Sequence, residues 1–418
     1  MINSVRKWLE TPLANRPILT WPSYLILLPL SLIWGLVAAW RRAWYERAIH
    51  SPEMSGLFKV PCPLIRVGNR VAGGTGKSPV VFKLALSFVE KGYQVGVVCR
   101  GVGSGLPKRL VVPVGFGEDG FCDEAREMAF KFKQRPHAKN VYIIQGAQRH
   151  RGIRDWLNLL DLRFGEEPVP KILIMDDGLQ HFKLRPEGKP SLDLCLWDPH
   201  SNPIPPFWCL PLGLYREGFP MGVGRLFPSQ VKTVWSRFVV LPGEDLETCW
   251  QKYKSTLHHL SKVYPQTVRD DWVVWAGWKF WVWKGAGDLQ EVDLEWVKQQ
   301  ILNGNRAWVP TGIAQGAKFV KELEKVFPSL QMVWDEHLDH GDLKSDLKKL
   351  ETEKLNSLAF FTLKDFCRWR SQLPVYWPKW AGQPHVSRSP IWLVVELDVE
   401  LRSVQGDPID FYAFLKQS

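Results

Sequence analysis

The sequence has no CxxC pair and no His/Cys spacing suited to zinc; its seven cysteines are scattered as Cys62, Cys99, Cys122, Cys195, Cys209, Cys249 and Cys367. That excludes a zinc ribbon or finger and reads as reduced thiols in the cytosol. No long internal repeat and no low-complexity tract is present. Disorder is excluded as well, since 45% of the 418 residues are hydrophobic, enough for two packed domains and an appendage. Acidic residues are in deficit: 43 Asp and Glu against 54 Lys and Arg leave a formal charge of +11. Such a surplus favours an anionic partner, whether nucleic acid, a bilayer surface or a phosphorylated substrate.

Charge is missing altogether from Ile18 to Trp40, "ILTWPSYLILLPLSLIWGLVAAW". As a helix, about 23 residues at 1.5 Å each would span roughly 35 Å, enough to cross a bilayer. Pro22 and Pro29 interrupt helical hydrogen bonding, however, and Trp21, Trp34 and Trp40 suit the headgroup boundary, so shallow insertion is an equal reading. A cleaved signal does not fit, because its apolar core spans only about 7–15 residues. Arg41, Arg42 and Arg47 follow at once, which puts the side after the helix in the cytoplasm.

Beyond Pro61, short apolar runs alternate with helical segments. Strands are expected at Leu64–Val67, Gln94–Cys99, Val141–Gln145, Lys171–Met175 and Leu192–Trp197, and helices near Ser78–Lys91, Asp123–Lys133 and Ala147–Leu160. The alternation predicts a mainly parallel sheet covered by helices, with ligands bound beyond the carboxyl ends of the strands. A second, smaller α/β block is expected from Arg306. Between the blocks, "WVVWAGWKFWVW" carries five Trp around an Ala-Gly pair. It reads as a two-stranded ribbon turning there, packed on the core or facing lipid. The expected division is an anchoring segment over 1–56, a P-loop domain over 57–240, a ribbon linker over 241–305 and a smaller α/β domain over 306–418.

The stretch "RVGNRVAGGTGKSPVV" gives the first block its chemistry. Glycines let consecutive backbone N–H groups close on phosphate oxygens at a helix N-terminus. Val71, Ala72, Gly73, Gly74, Thr75 and Gly76 form the expected loop; Lys77 would neutralise the β and γ phosphates and Ser78 would reach Mg²⁺. Pro79 is tolerated in the first helical turn. Val71 stands where GxxxxGK[ST] has its first glycine. The second half of the site is "KILIMDDGLQH", an apolar strand delivering Asp176 and Asp177 at its carboxyl end as candidate carboxylates for the metal. The LSGGQ-like helix start of transporter ATPases and the NKxD segment of guanine-specific switches are both absent.

These residues resemble the tetraacyldisaccharide 4′-kinases of lipid A biosynthesis. "VGNRVAGGTGKSP" resembles that family's VGN-x-x-x-GG-x-GK-[ST]-P signature, which itself lacks the first glycine. "MDDGLQH", "LPLGLYRE", "VPTGIA" and "FFTLKD" resemble further motifs in the same order, with Leu363 replacing a glutamate in the last. The resemblance implies transfer of the γ-phosphoryl of ATP, with Mg²⁺, to the 4′-hydroxyl of a tetraacylated glucosamine disaccharide 1-phosphate. It places the enzyme at the cytoplasmic face of the inner membrane. It also implies two α/β domains joined by a β ribbon, with an N-terminal membrane helix. Matched onto "CDEAREMA", Asp123 becomes the base; "LDHGDLKSDL" offers His340 as its partner, with His337 a rival; Arg216 and Glu217 match a lid-associated pair. The competing readings are a helix cap for Asp123, a surface turn for His340 and a surface ion pair for Arg216. Arg149, in "QRHRGIRDW", could meet substrate phosphate but reads rather as part of an ordinary charged helix face. The alternative function is a membrane-bound P-loop ATPase or switch. Nucleic acid would explain the charge but not the apolar arm, and no protein partner is inferred.

Overall fold

The computed structural model describes residues 29–38, 40, 44, 57–69, 76–101, 110–114, 121–133, 135–146, 148–165, 167–179, 181, 183–197, 231–263, 272–283, 289–301, 306–311, 316–336, 358–370 and 391–412. Helix α1, over 29–38, leaves Leu30, Leu32, Ile33, Trp34, Leu36 and Val37 exposed, as are Trp40 and Trp44 beyond it. Among the described residues no helix is long and apolar enough to cross a membrane. Residues 18–28 of the apolar run lie outside them.

Strand β1 (Phe58–Val60) pairs in parallel with β7 (Leu184–Pro186) in a small separate sheet. Every other strand among the described residues belongs to one 13-stranded sheet. Its first half contains β2 (Leu64–Asn69), β3 (Gln94–Cys99), β4 (Leu110–Pro113), β5 (Val141–Gln145), β6 (Lys171–Asp176), β8 (Ser191–Trp197) and β9 (Val231–Val239), in the order β9-β8-β2-β6-β3-β5-β4. All of these pairings are parallel except that of the edge strand β4. The expected strands at 94–99 and 141–145 have their expected bounds, while β2 and β6 run on to include Asn69 and Asp176.

The central strands are buried along nearly their whole length because helices cover both faces. Helices α2 (Lys77–Val89) and α3 (Asp123–Lys133) lie on one face, where Val80, Leu84, Phe88, Ala125 and Phe132 pack on Val67 and Val97. Helix α4 (Arg149–Phe164) covers the other, placing Ile153, Trp156 and Leu160 against Leu64, Tyr142 and Leu173.

The second half adds β10 (Trp272–Trp283), β11 (Gln290–Val292), β12 (Arg306–Thr311), β13 (Gln331–Glu336), β14 (Leu358–Thr362) and β15 (Ile391–Ser403), in the order β13-β12-β14-β15-β10, with β11 beside β10. Helix α5 (Leu246–Val263) precedes β10; α6 (Leu294–Ile301), α7 (Gly316–Val326) and α8 (Leu363–Trp369) follow it.

The two-stranded ribbon expected within 272–283 is corrected. Ala276 and Gly277 do not turn the chain: β10 is one strand of 12 residues, and its antiparallel partner is β15, from Trp272↔Ser403 to Trp283↔Trp392. The five Trp all make contacts within the protein, Trp272 and Trp283 buried and Trp275, Trp278 and Trp281 half-buried: Trp272 meets Phe411, Trp275 meets Phe238 and Trp250, Trp278 meets Phe319, Trp281 donates to Glu396 Oε2 and Trp283 packs on Trp392. The long pair joins the halves, since β9 lies along the Trp272–Ala276 end of β10 while β14 lies along the Ile391–Val395 end of β15.

Candidate functional site

Strands β2 and β6 are adjacent and parallel, with Val67 opposite Asp176, so the ends of the two candidate motifs meet at one sheet edge. They interlock through glycines. Gly178 N–H donates to Val67 O at 2.9 Å, and a Cβ at 178 would stand 2.7 Å from Met175 Cβ. Across the same junction Leu179 lies over Gly68, where an added Cβ would come within 2.7 Å of Leu179 Cγ. The arginine of "RVGN" is anchored away from this edge, donating from Arg66 Nη2 to Asp193 Oδ2 at 2.7 Å.

Helix α2 begins directly after Gly76, whose φ of 75° is a left-handed conformation that glycine adopts without steric cost. Its first residue, Lys77, donates to Asn69 Oδ1 at 3.1 Å, and its Nζ lies 3.8 Å from Asp177 Oδ1. Ser78 Oγ donates to Asp176 Oδ2 at 3.0 Å. Asp177 holds a φ of 52°, unusual for a non-glycine residue, and costs of order 1–3 kcal/mol in strained positions of this kind. No acid occupies the first turn of α2, so its N–H groups and Lys77 together form an anion-binding end.

Asp176 is buried, and among the described residues no hydrogen-bond donor meets its Oδ1. Burial pushes its carboxyl up to about 6, opposed by Lys77 and assisted by the charges of Glu124 and Asp177. An orphaned buried carboxylate oxygen beside a serine hydroxyl suits a hard divalent cation. Mg²⁺ is commonly held by one or two carboxylates plus substrate phosphates rather than a full protein cage. Consistent with that, the described residues contain no group of three or more His, Cys, Asp or Glu placed for a metal.

Asp123 opens α3, and its Oδ2 accepts from Arg368 Nε of α8 at 3.0 Å. The charge of the neighbouring Glu124 raises the Asp176 carboxyl further. Arg149 is not part of an exposed helix face: it is buried at the start of α4 and donates from Nη1 to Asp177 O at 3.2 Å. Sequence reasoning missed Asn69 and Arg368. Asn69 closes the "VGN" triplet and was detectable by its place at a strand end; Arg368 gave no such signal. Val71, Ala72, Gly73, Gly74, Thr75, Arg216, Glu217, His337 and His340 lie outside the described residues.

Known proteins resemble this chain in sequence and fold. Tetraacyldisaccharide 4′-kinase of Polaromonas naphthalenivorans is 33% identical over 195 residues, 47% of this chain and 50% of the relative. That of Azoarcus sp. is 32% identical over 206 residues, 49% and 52% respectively. The chain thus spans about half the length of the curated relatives it matches. The crystal structure of LpxK from Aquifex aeolicus in complex with ATP superposes with a TM-score of 0.55 at 20% identity, covering 90% of this chain and 95% of that one, a likeness of fold. The family model for tetraacyldisaccharide-1-P 4′-kinase matches residues 23–407, taking in both halves of the sheet as well as the glycine loop and paired acids, and the chain belongs to that family.

Proposed function

We propose that the chain transfers the γ-phosphoryl group of ATP to the 4′-hydroxyl of a tetraacylated glucosamine disaccharide 1-phosphate, the lipid A precursor. The observation that carries this reading is the buried junction of Ser78 with Asp176 beside Lys77, at the carboxyl ends of adjacent strands in a chain of this family. ATP in the solved LpxK neighbour supports ATP as the donor.

Phosphoryl transfer asks the protein mainly for positioning and charge neutralisation. Lys77, held by Asn69 at the α2 N-terminus, would offer its ammonium to the β and γ oxygens, and the glycine-rich sequence over 71–76 suits the same phosphates. Ser78 and Asp176, with Asp177 adjacent, would hold Mg²⁺, which when bound offsets charge on the transferring group. Asp123 accepts the proton of the 4′-hydroxyl as the sugar oxygen bonds to the γ-phosphorus and ADP leaves, a contribution of about 10²–10⁴-fold. By the family resemblance, His340 would support Asp123, and Arg216 and Glu217 would serve as the lid-associated pair.

The exposed apolar side of α1 supports attachment to the cytoplasmic face of the inner membrane, where the acylated substrate resides. The chain divides functionally into the arm over 1–56, the kinase unit over 57–240, the linker over 241–305 and the C-terminal unit over 306–418. The test is incubation of membranes containing the protein with γ-labelled ATP and the disaccharide 1-phosphate. Label in the glycolipid is expected; label released only as free phosphate would make the protein an ATPase.

A further inference from the structure

The proposed base is held by the other half of the molecule. Arg368 sits on α8, 245 positions along the chain from Asp123, yet its Nε lies 3.0 Å from Asp123 Oδ2, with the two side chains only 7% and 14% exposed. The same guanidinium donates from Nη1 to Asp365 Oδ1 at 3.3 Å. Asp365 is completely buried, and its Oδ2 accepts from Thr362 Oγ1 at 2.7 Å, while Thr362 Oγ1 accepts from Asp365 N–H at 3.2 Å and caps α8. A second tie runs in the opposite direction, from Arg126 Nη1 of α3 to Arg368 O at 3.2 Å. Thr362, Lys364 and Asp365 belong to the "TLKD" motif, to which the reaction assigns no task.

We infer that Arg368, fixed by Asp365 and Thr362, is the positioning residue for Asp123, so that the C-terminal half orients the base used by the P-loop half. The inference rests on the reading of Asp123 as the base. A guanidinium is planar, permanently charged and binds through several fixed N–H directions. With Nη1 committed to the fully buried Asp365, its Nε holds Asp123 Oδ2 in one direction. Arg368 accepts no proton itself. A base displaced by about 1 Å loses on the order of 10²-fold in rate.

The experiment measures kcat, KM for ATP and thermal midpoint for Arg368→Gln, Arg368→Lys, Asp123→Asn and the double variant Asp123→Asn/Arg368→Gln in the full chain, with labelled ATP and the disaccharide substrate. Arg368→Gln is expected to lower kcat about 10- to 100-fold while KM for ATP stays within about twofold. Arg368→Lys should recover part of the loss, and the double variant should be no slower than Asp123→Asn alone. Should Arg368→Gln fail to fold, Thr362→Val keeps all three charges and loosens only the anchor; a lower kcat at unchanged KM supports the inference, and an unchanged kcat overturns it. Full kcat in Arg368→Gln, or losses that multiply in the double variant, would overturn it while leaving Asp123 as base. Full kcat in Asp123→Asn would overturn the base reading and this inference together.

Discussion

Leu179 occupies the volume that any side chain at position 68 would need: a Cβ on Gly68 would lie 2.7 Å from Leu179 Cγ and 3.0 Å from its Cβ and Cδ1. The strand leading into the phosphate loop is therefore seated under the residue that follows the paired acids. Gly68→Ala should destabilise the protein by about 1–3 kcal/mol through overpacking and weaken nucleotide binding, read by urea denaturation and ATP titration. A neutral variant would show the junction to be slack.

Lys77 is held between Asn69 and Asp177 and has no packing task comparable to the apolar residues of α2. Lys77→Ala is expected to cost about 10²–10³-fold in kcat, the usual reach of a preorganised electrostatic contact, with little change in the thermal midpoint. Turnover equal to that of the parent protein would remove Lys77 from the phosphate site.

Asp176 predicts a pH signature. Because burial raises its folded carboxyl from 3.8 to about 6, the folded state binds the proton more tightly than the unfolded state. Stability of the metal-free protein therefore falls as pH rises through this window and levels off above it. Asp176→Asn removes the effect, so in chelator at pH 8 the variant should be more stable, on the order of 2 kcal/mol, with the advantage fading towards pH 4. Its turnover should be lost, and added Mg²⁺ should stabilise only the parent protein. A variant less stable than the parent at pH 8 would contradict this.

Lys131 is buried between Glu127, 3.5 Å away, and Glu396, 3.1 Å away, the latter also accepting from Trp281 Nε1. Removing one partner of a buried ion pair typically costs about 3–5 kcal/mol, since the remaining charge is stranded. Lys131→Met should show a loss of that order in denaturant unfolding, and adding Glu396→Gln should recover part of it. Additive losses would mean that the charges do not interact.

The juxtaposition of Lys77 and Ser78 with Asp176 and Asp177 was legible because its signals are local. An apolar run ending in Asp176 and Asp177, and a lysine and serine opening a helix, need only strand and helix periodicity to be placed. The Trp-rich segment misled for the opposite reason: Ala276-Gly277 looks like a turn, but the ladder that keeps it extended comes from Val399 and Asp398, far along the chain. Arg149 lies in a polar stretch, "QRHRGIRDW", and its burial depends on the carbonyl of Asp177. Arg368 was likewise invisible, because its meaning lies in a carboxylate contributed by α3.

The β10–β15 pair leaves no swivel within the sheet. Twelve residues of β10 are matched without a break to β15, and Gly277, midway, has no atom within 4 Å of where its Cβ would be. Any relative movement of the two halves of the sheet must therefore twist that ladder rather than turn about a hinge within it.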